Sequence, residues 1–405
     1  MLSVDAAREL VLEQCWTLAP ELMPLSSASL GRVLAEEVAS DLDMPPFDKA
    51  MMDGYAVRSA DLPDGKGVLE VVEEVMAGQQ PTRRVEAGQA VRIMTGAPIP
   101  AGADAVIMLE RTRSDDGNRV AIDDQPPRPG QHIQPQGREL AKGDVVLRPG
   151  DVLRAQEFGV LAMVGRSAVR QVPPPRVAIV ATGDELIEPA MMPGPTQIRN
   201  SNATMVLAQA HRAGGLPRYL GIARDRADSL RPLIEEGLQT SHVLILTGGV
   251  SAGKLDLVPD ALAAAGVTVH FHHVAMKPGK PLLFGSAERA GERRLVFGLP
   301  GNPVSALVCF ELFVRPTIRK LAGYADIDLP LVLARLDVDF PYQSDRPTYY
   351  PARLEEAVDR WEVSPLPWLG SGDLRVFLRA NALLRLPAGD FQLFAGRSVE
   401  VLRLE

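Results

Sequence analysis

Strand-like and helix-like segments alternate along residues 176–322, and this alternation constrains the fold more than any other feature of the sequence. The strand-like segment at 176–182 reads RVAIVAT, a continuous apolar run of the kind that is buried on both faces of a parallel sheet. A helix-like segment follows at 202–215, and further strand-like runs lie at 216–225 and 241–249. Repeated strand–helix units predict a doubly wound, mostly parallel α/β domain.

The segments on either side of this domain have a different character. The VPPPR run at 172–176 is a stiff hinge, because consecutive prolines favour an extended backbone, and it marks a domain boundary. Residues 66–125 contain short alternating runs separated by Gly and Pro, which predicts a small β-rich module. Residues 328–405 also lack a helical period, which predicts an antiparallel β module or barrel.

Composition narrows the function and the compartment. The net charge of −8 argues against general nucleic-acid binding, which requires a basic face. Residues 1–17 read as an amphipathic helix rather than a signal peptide, and no apolar stretch is as long as a membrane span. Cys15 and Cys309 both fall in apolar helical contexts, which indicates buried reduced thiols. We therefore expect a cytoplasmic protein without a membrane partner.

Four loops are placed to form a binding site. Ligands of open α/β sheets bind at the carboxyl ends of the strands. That rule selects TGDEL (182–186), TGGVSAGKLD (247–256), MKPGKP (276–281) and GLPGNPVSA (298–306). Together they predict a crevice for a phosphorylated or oxyanionic ligand with a divalent ion. From these loops we expect a nucleotide- or phosphate-linked transfer enzyme, and no Ser-His-Asp or Cys-His arrangement is visible.

Each loop taken alone has a structural alternative. The acids of TGDEL can hold a metal or can favour the positive end of a helix dipole. In the second loop Ser251 can donate a hydrogen bond and Asp256 can ligate Mg²⁺, although a Gly-Gly turn alone is a weak signal. Lys277 and Lys280 can bind an anion, or they can lie at the solvent-exposed end of a hairpin. Asn302 begins a helix whose free N–H groups can bind an anion, or it is only a structural cap.

A histidine pair offers a weaker metal site. His270 and His272 lie two residues apart, and therefore on one face of a strand, in the HFHH run at 270–273. No cysteine or carboxylate partner lies nearby in the sequence, which favours ordinary packing within a strand.

The combination of motifs resembles a known family. MMDGYAVR, RIMTGAPIPAGADAVIMLE, TGDEL, GGVSAGKLD, KPGKP, GLPGNPVSA and GSGDLRVFLRAN occur in the order found in molybdopterin molybdotransferases, the MoeA-type enzymes and the E domain of gephyrin. The resemblance covers nearly the whole chain and implies four domains. These are an elongated dimerisation domain (1–42 and 139–172), an inserted β-rich domain (43–138), the α/β molybdopterin-binding domain (173–325) and a C-terminal β barrel (326–405).

The resemblance also implies a reaction and its participants. The substrates would be molybdate and adenylylated molybdopterin, and the products molybdenum cofactor and AMP, with Mg²⁺ assisting cleavage of the pyrophosphate link. The protein would be a homodimer whose active site lies between the α/β domain of one subunit and the inserted domain of the other. Transient contact with the adenylylating enzyme and with recipient molybdoenzymes is a further expectation.

Site residues are carried over by position. The matches for molybdate or substrate contacts are Ser251, Lys277, Lys280, Pro281, Pro300, Asn302, Arg346 and Ser371. The matches for catalytic residues are Glu185, Asp225 and Asp256 near metal and nucleotide, with Glu185 and Asp256 as metal ligands, and Asp53 and Thr95 from the facing subunit. Lysine and arginine side chains neutralise an oxyanion and stay charged at pH 7, while carboxylates recruit Mg²⁺.

Some positions depart from the family pattern. Relatives more often have the sequence NSA where this chain has Lys49, Ala50 and Met51. They frequently have an acid at the position of Asn200. An acid also commonly stands at the position of Lys254, before the Asp of the GGVSAGKLD motif. The last change can weaken metal affinity or reposition the nucleotide. The segment around Arg346 matches only loosely.

Two alternative functions remain open from the sequence. One is adenylylation of molybdopterin by a related stand-alone α/β domain, against which the extra β domains and KPGKP argue. The other is a non-catalytic scaffold like the receptor-clustering use of the gephyrin E domain, against which the intact lysine and acidic positions argue. The sequence does not distinguish molybdate from tungstate, whose size and charge are similar.

Overall fold

A computed structural model describes residues 1–115, 118–249 and 257–404 of the chain. The chain divides into two compact units. Unit 1 comprises Met1–Ala35, Gly150–Leu153 and Val169–Glu405, and unit 2 comprises Glu36–Pro149 and Arg154–Ala168. The four domain boundaries expected from the sequence stay a prediction.

The described residues up to 172 form mostly short strands, two α-helices and short 3₁₀ turns. The helices are α1 (Val4–Glu13) and α2 (Ala155–Met163). The strands are β1 (Glu21–Pro24), β2 (Val38–Ala39), β3 (Lys49–Ala50), β4 (Gly54–Val57), β5 (Lys66–Val75), β6 (Gln89–Ile93), β7 (Ala105–Met108), β8 (Thr112–Asp115), β9 (Arg119–Asp123), β10 (Ile133–Gln134), β11 (Val145–Leu147) and β12 (Ala168–Gln171). The predicted N-terminal helix is confirmed, and it buries Val4, Ala7 and Val11 along one side.

Unit 2 is built around a six-stranded sheet. Its strand order is β7-β4-β6-β5-β9-β8, and only the β5–β6 pair is parallel. Strand β4, which lies between β7 and β6, is buried along its whole length. Apolar side chains on the two sides of this sheet belong to separate core clusters, with Tyr55 and Val57 in one and Ala56 in the other. This sheet is the β-rich fold predicted for this part of the chain.

Unit 1 contains a second six-stranded sheet. The strands of this region are β13 (Arg176–Thr182), β14 (Leu186–Ile187), β15 (Ile198–Arg199), β16 (Leu216–Ala223), β17 (Val243–Thr247), β18 (Thr268–His273), β19 (Pro281–Arg289) and β20 (Glu292–Leu299). The order in the sheet is β16-β13-β17-β20-β19-β18, and β14 pairs separately with β15. The first four strands are parallel, whereas β19 and β18 run antiparallel at one edge.

The antiparallel edge follows from short connections. β19 and β20 are joined by Ala290 and Gly291, whose φ angles are 51° and 78°. Two consecutive residues with positive φ form the type of tight turn that joins antiparallel neighbours. A parallel crossover needs a dozen or more residues, so this connection cannot make one. The predicted mostly parallel α/β sheet is therefore confirmed, with an antiparallel addition at its edge.

Helices cover both faces of this sheet. They are α3 (Ser201–Arg212), α4 (Ala227–Thr240), α5 (Val258–Ala264), α6 (Pro303–Cys309) and α7 (Arg315–Leu321). Successive residues of β13 enter opposite core clusters, because Val177 and Ile179 pack on one side and Ala178 and Val180 on the other. Burial on both faces is what the apolar run RVAIVAT predicts.

The long helix predicted from Asn302 is present but contains an irregular turn. Phe310–Val314 forms a π-helical turn between α6 and α7. This turn carries Glu311, whose side chain is 1% exposed and lies 2.5 Å from the guanidinium of Arg212. Gln209 also donates to the carboxylate at 2.8 Å. The buried negative charge is therefore neutralised from the neighbouring helix α3.

A buried histidine precedes strand β17. The Nδ1 atom of His242 accepts a hydrogen bond from the backbone N–H of Arg176 at 2.9 Å. Burial, reinforced by the positive charges of Arg176 and Arg294, lowers the pKa of His242 to about 4. The imidazole is therefore neutral at pH 7.

The C-terminal part of unit 1 is the predicted β barrel. Its strands are β21 (Leu331–Leu336), β22 (Phe340–Ser344), β23 (Thr348–Ala357), β24 (Arg360–Pro365), β25 (Ala382–Leu386), β26 (Gly389–Leu393) and β27 (Ser398–Arg403). Strands β21-β24-β23-β25-β27 close into a barrel, and β22 pairs with β26. Within the described ranges, no helix has the length and apolar character needed to cross a membrane.

Candidate active site

Unit 1 contains a cavity of about 1310 Å³ at the carboxyl ends of its parallel strands. Three of the four predicted loops line it, and so do Thr247, Gly248 and Gly249 from the fourth. The barrel contributes another part of the lining, including Arg346 and Ser371. Ser251, Lys254 and Asp256 lie outside the described residues.

Most of the predicted site residues meet in this one cavity. Those that line it are Glu185, Asp225, Lys277, Lys280, Pro281, Pro300, Asn302, Arg346 and Ser371. The strand-end rule succeeds here because parallel neighbouring strands bring their carboxyl ends to the same edge. The roles assigned to these residues stay predictions.

The acidic loop follows strand β13. TGDEL leads into the short strand β14, and the next helix begins only at Ser201, so the alternative that these acids cap a helix is wrong. The backbone N–H of Asp184 donates to the carboxylate of Asp225 at 3.4 Å, and the N–H of Asp225 donates to the carboxylate of Asp184 at 3.2 Å. The two acids therefore tie the ends of β13 and β16 together.

Arg224 holds the same loop, and the sequence interpretation missed it. Its Nη1 atom donates to the backbone carbonyls of Asp184 at 2.9 Å and Leu186 at 3.0 Å, with a longer contact to Gly183 at 3.4 Å. A guanidinium directed at three carbonyls on either side of Glu185 fixes the path of the loop that carries it. The position of Arg224 directly after a parallel strand was the available signal.

Glu185 is an exposed acid of this loop and lines the cavity. Within the described part of the chain its carboxylate accepts no hydrogen bond, whereas its backbone carbonyl accepts from Ile198 at 2.8 Å. The loop is thus held through its backbone, and the side chain at the cavity remains available to a ligand.

The glycine-rich turn after β17 requires its glycines. Gly248 has a φ of 94°, and a Cβ atom there would lie 2.5 Å from the carbonyl oxygen of Thr182. Its N–H donates to the carbonyl of Leu299 at 3.0 Å. The absence of a side chain therefore lets this backbone pack closely against the end of β13, at the edge of the cavity.

The two lysines lie on the turn between β18 and β19. Backbone hydrogen bonds join Lys277 to the barrel, because its N–H donates to Pro347 at 2.9 Å and its carbonyl accepts from Tyr349 at 2.8 Å. Both lysine side chains are exposed and line the cavity. Two ammonium groups on one anchored turn form a cationic wall.

Gly279 lets this turn pack against the last long helix. Its φ is 102°, and a Cβ atom would lie 2.5 Å from the sulfur of Cys309. Cys309 is fully buried, and burial raises its thiol pKa, so the sulfur is protonated at pH 7. This state agrees with the buried reduced thiol predicted from the sequence.

Arg346 adds a third cation from the barrel. Its Nε atom donates to the carboxylate of Asp345 at 3.1 Å, and this bond lowers the pKa of Asp345. The positive charge of Lys277 lowers it further. An ionised Asp345 therefore offsets part of the positive charge near the cavity, a feature that no local pattern in the sequence indicated.

The start of helix α6 differs from its prediction. Asn302 occupies the position before the helix, but its side chain makes no capping hydrogen bond. The N–H of Val304 donates to the carbonyl of Ser371 at 3.0 Å. The expectation that the first N–H groups are free for an anion is therefore wrong for Val304. The purely structural cap is also wrong for Asn302, whose exposed side chain lines the cavity.

The structure gives a physical reason for one departure from the family pattern. The side chain of Asn200 accepts from the backbone of Ala203 at 3.2 Å and donates to the hydroxyl of Tyr219 at 3.0 Å. That hydroxyl donates to Glu188 at 2.9 Å, and burial together with this bond raises the pKa of Tyr219. A carboxylate at position 200 would lack the N–H that Asn200 supplies.

Two further predicted site residues lie together in unit 2. The backbone N–H and the hydroxyl of Thr95 donate to one carboxylate oxygen of Asp53 at 2.7 and 2.6 Å. These bonds lower the pKa of Asp53. The MDGYA and MTGAP motifs therefore meet, and both residues are exposed.

The histidine pair has ordinary packing contacts. The Nε2 atom of His270 lies 2.8 Å from the hydroxyl of Ser286, and its ring stacks on Phe284 at 5.3 Å. These contacts fit the packed-strand interpretation. Among the described residues no group of three or more His, Cys, Asp or Glu side chains could hold a metal ion.

These features define a class of protein: a multidomain α/β enzyme whose strand ends form a cavity with a cationic and an acidic wall. Comparisons with known proteins agree. Residues 2–165 match the family described as MoeA N-terminal region (domain I and II), residues 178–320 match the probable molybdopterin binding domain, and residues 333–404 match the MoeA C-terminal region (domain IV).

Individual relatives resemble nearly the whole chain. A molybdopterin molybdenumtransferase from Nostoc sp. is 37% identical over 95% of this chain and 88% of its own, and one from Staphylococcus aureus is 32% identical over 99% and 95%. The crystal structure of a molybdopterin biosynthesis MoeA protein from Pyrococcus horikosii has a TM-score of 0.83, with 31% identity, covering 100% of this chain and 99% of its own. The chain belongs to the molybdopterin molybdenumtransferase (MoeA) family, enzymes of molybdenum cofactor biosynthesis.

Proposed function

We propose that the cavity binds molybdate together with adenylylated molybdopterin, and that the enzyme releases AMP as molybdenum enters the dithiolene. The observation that carries this proposal is the shared lining: Lys277, Lys280 and Arg346 line the same cavity as Glu185 and Asp225. An oxyanion and a phosphate ester both require cations, while a phosphate-bound divalent ion requires carboxylates. The cavity volume of about 1310 Å³ is ample for a nucleotide-linked substrate.

The two lysines would bind molybdate. Both are exposed on a turn whose backbone is anchored to the barrel, so their ammonium groups are presented without the loop having to fold first. A tetrahedral dianion is attracted to two or three cations, and water around it is replaced by N–H donors. Asn302 and Ser371 add neutral polar groups to the same cavity.

The carboxylates near the strand ends suit Mg²⁺. Their oxygen atoms are the hard ligands that Mg²⁺ prefers, and Mg²⁺ commonly uses one or two protein carboxylates with substrate phosphates and water. Among the described residues Glu185 is the proposed ligand of a site completed by substrate. Asp256, which lies outside the described residues, is the second expected ligand. Bound Mg²⁺ would neutralise charge on the pyrophosphate link.

The residues of the chain would hold the reactants in place. Glu185 stands on a loop fixed by Arg224, so its carboxylate stays near the strand end where the pyrophosphate would lie. Hydrolysis of the pyrophosphate bond would give AMP and leave a terminal phosphate on the pterin. The two dithiolene thiol groups would then bind the molybdenum of molybdate held by the lysines, and one molybdate oxygen would leave with the two thiol protons as water.

The first experiment is Lys280→Ala, assayed by molybdate-dependent cofactor formation and by molybdate binding. We expect both to be largely abolished while the circular dichroism spectrum is unchanged, because the turn is held by its backbone. The matched control is Lys66→Ala, which removes a lysine that pairs with Asp123 on the surface of unit 2. An unchanged rate in Lys280→Ala would refute the assigned role.

A second experiment tests the metal and nucleotide step. For Asp256→Asn we expect loss of Mg²⁺-dependent AMP release, with Asp260→Asn, four residues further on and exposed, as the control. Undiminished AMP release would count against the metal assignment. Direct consumption of ATP by the wild-type protein with molybdopterin would instead support adenylylation.

The proposal includes a homodimer in which Asp53 and Thr95 of one subunit act with the cavity of the other. Mixing inactive Asp53→Ala and Lys280→Ala proteins tests it. In a one-to-one mixture, half of the dimers are mixed and each holds one intact site, so exchange should restore about a quarter of wild-type activity. If subunits exchange and no activity returns, the shared site is wrong.

A further inference from the structure

The barrel side of the cavity presents aromatic rings. Phe340, Tyr350 and Trp368 all line it. The ring centroids of Phe340 and Tyr350 are 5.0 Å apart with an interplanar angle of 66°, and those of Tyr350 and Trp368 are 5.5 Å apart at 86°. Edge-to-face pairs of this kind stabilise one another, so the three rings form one supported surface.

The chemistry of anion binding leaves this surface unexplained. Molybdate and phosphate need charge and hydrogen-bond donors, which the lysine turn and Arg346 supply, whereas the faces of aromatic rings offer neither. Drug-sized ligands occupy pockets of about 300–1000 Å³. A cavity of about 1310 Å³ therefore has room beyond the ionic groups, and part of that room is bordered by rings.

Trp368 has a second unusual feature. Its indole Nε1 atom is shielded from solvent and has no hydrogen-bond partner among the described residues. A buried N–H without an acceptor is energetically unfavourable. No hydrogen bond therefore holds the indole in its present orientation. A ligand that brought an acceptor to the N–H would relieve this cost.

We propose that Phe340, Tyr350 and Trp368 form a stacking subsite for a planar nitrogen heterocycle of the substrate, while the lysine turn binds its anionic part. This inference rests on the proposed function, because the adenylylated pterin carries both ring and anion. Stacking on aromatic side chains accepts any flat heterocycle, so the purine and the pterin share the chemistry.

The experiment measures dissociation constants by isothermal titration calorimetry for AMP, ribose 5-phosphate and 6-carboxypterin. AMP and ribose 5-phosphate differ by the adenine ring, and 6-carboxypterin carries a pterin ring with a carboxylate. Trp368→Leu should weaken binding of AMP, of 6-carboxypterin or of both by about 5- to 150-fold, the range for losing one aromatic–base stack. The dissociation constant of ribose 5-phosphate should be unchanged, and the ring-bearing ligand that responds identifies the ring.

Matched variants separate stacking from folding. Trp368→Phe keeps an aromatic face and should retain most of the affinity. Trp361→Phe changes a barrel tryptophan that lies against Arg403 and does not border the cavity, and it should change nothing.

Three results would overturn the inference. In the first, the wild-type protein binds both ring-bearing ligands no more tightly than ribose 5-phosphate. In the second, Trp368→Leu weakens the binding of all three ligands equally, and in the third it weakens the binding of neither ring-bearing ligand. Molybdate binding in the same variants reports separately on the proposed function. Suppose that Lys280→Ala loses molybdate binding while Trp368→Leu binds the ring-bearing ligands as tightly as the wild type. That result would refute the stacking subsite and would still support the transferase proposal.

Discussion

Removing the guanidinium of Arg224 tests whether the acidic loop is held in advance for its metal. The change is Arg224→Met, which keeps an unbranched side chain but removes every donor. Two well-formed hydrogen bonds are lost, to the carbonyls of Asp184 at 2.9 Å and Leu186 at 3.0 Å, together with the longer contact to Gly183 at 3.4 Å.

The expected magnitude follows from those bonds. Hydrogen bonds from a charged donor contribute about 1.5–3 kcal/mol each, and Arg224 is only half-buried, so the lower end applies. Without Arg224, holding the loop in its ordered conformation should cost about 2–3 kcal/mol more free energy. If that cost is met only when Mg²⁺ and substrate bind, the concentration of Mg²⁺ for half-maximal AMP release rises about 30- to 150-fold. The rate at saturating Mg²⁺ should change much less.

Two assays check the prediction. AMP release is measured against Mg²⁺ concentration, and hydrogen–deuterium exchange is followed at the amides of residues 183–187, which should exchange faster in the variant. Arg226→Met is the control, because Arg226 pairs with Asp228 at the surface. An unaltered Mg²⁺ dependence with unaltered exchange would refute the reasoning.

Three further predictions concern stability. Glu311→Gln should lower the free energy of unfolding by about 2–3 kcal/mol, measured by urea denaturation, because it removes the carboxylate charge that pairs with the half-exposed Arg212 and with Arg315. The pKa of His242 is about 4 in the folded protein, below its value in the unfolded chain. The stability that the neutral imidazole contributes is therefore fully present above about pH 6.5 and is lost as the pH falls towards 4. Its replacement by Asn should remove about 3 kcal/mol of pH dependence from unfolding curves across that window, and identical slopes would contradict this account. Gly279→Ala should destabilise more than Gly291→Ala, which has positive φ but no atom near its Cβ position, and adding Cys309→Ala should recover part of the difference. Equal unfolding midpoints for the two glycine variants would rule out the clash.

The sheet and the shared cavity could be predicted because their signals are local in the sequence. The run RVAIVAT shows burial on both faces without any knowledge of its neighbours, and β13 is buried in this way. The strand-end rule then places the loops containing Glu185, Lys277 and Asn302 at one edge, and all three line the cavity.

The missed features depend on contacts between distant segments. Arg224 acts on backbone carbonyls about forty positions earlier in the chain, and a basic residue beside an acid looks like ordinary surface charge in a sequence. The N–H of Val304 meets the carbonyl of Ser371 on a loop of the barrel, and a helix start carries no sign of such a partner. Sequence periodicity also does not mark the single π-helical turn at Phe310–Val314, because one added residue hardly changes the apolar pattern.

The central claim is that the lysine turn and the strand-end loops together form a molybdate site. Crystals soaked with molybdate and AMP test it most directly, by anomalous diffraction at the molybdenum edge. We expect one strong peak within hydrogen-bonding distance of Lys277 and Lys280, absent in Lys280→Ala crystals. A peak at full occupancy elsewhere in the molecule, with those two lysines unoccupied, would contradict it.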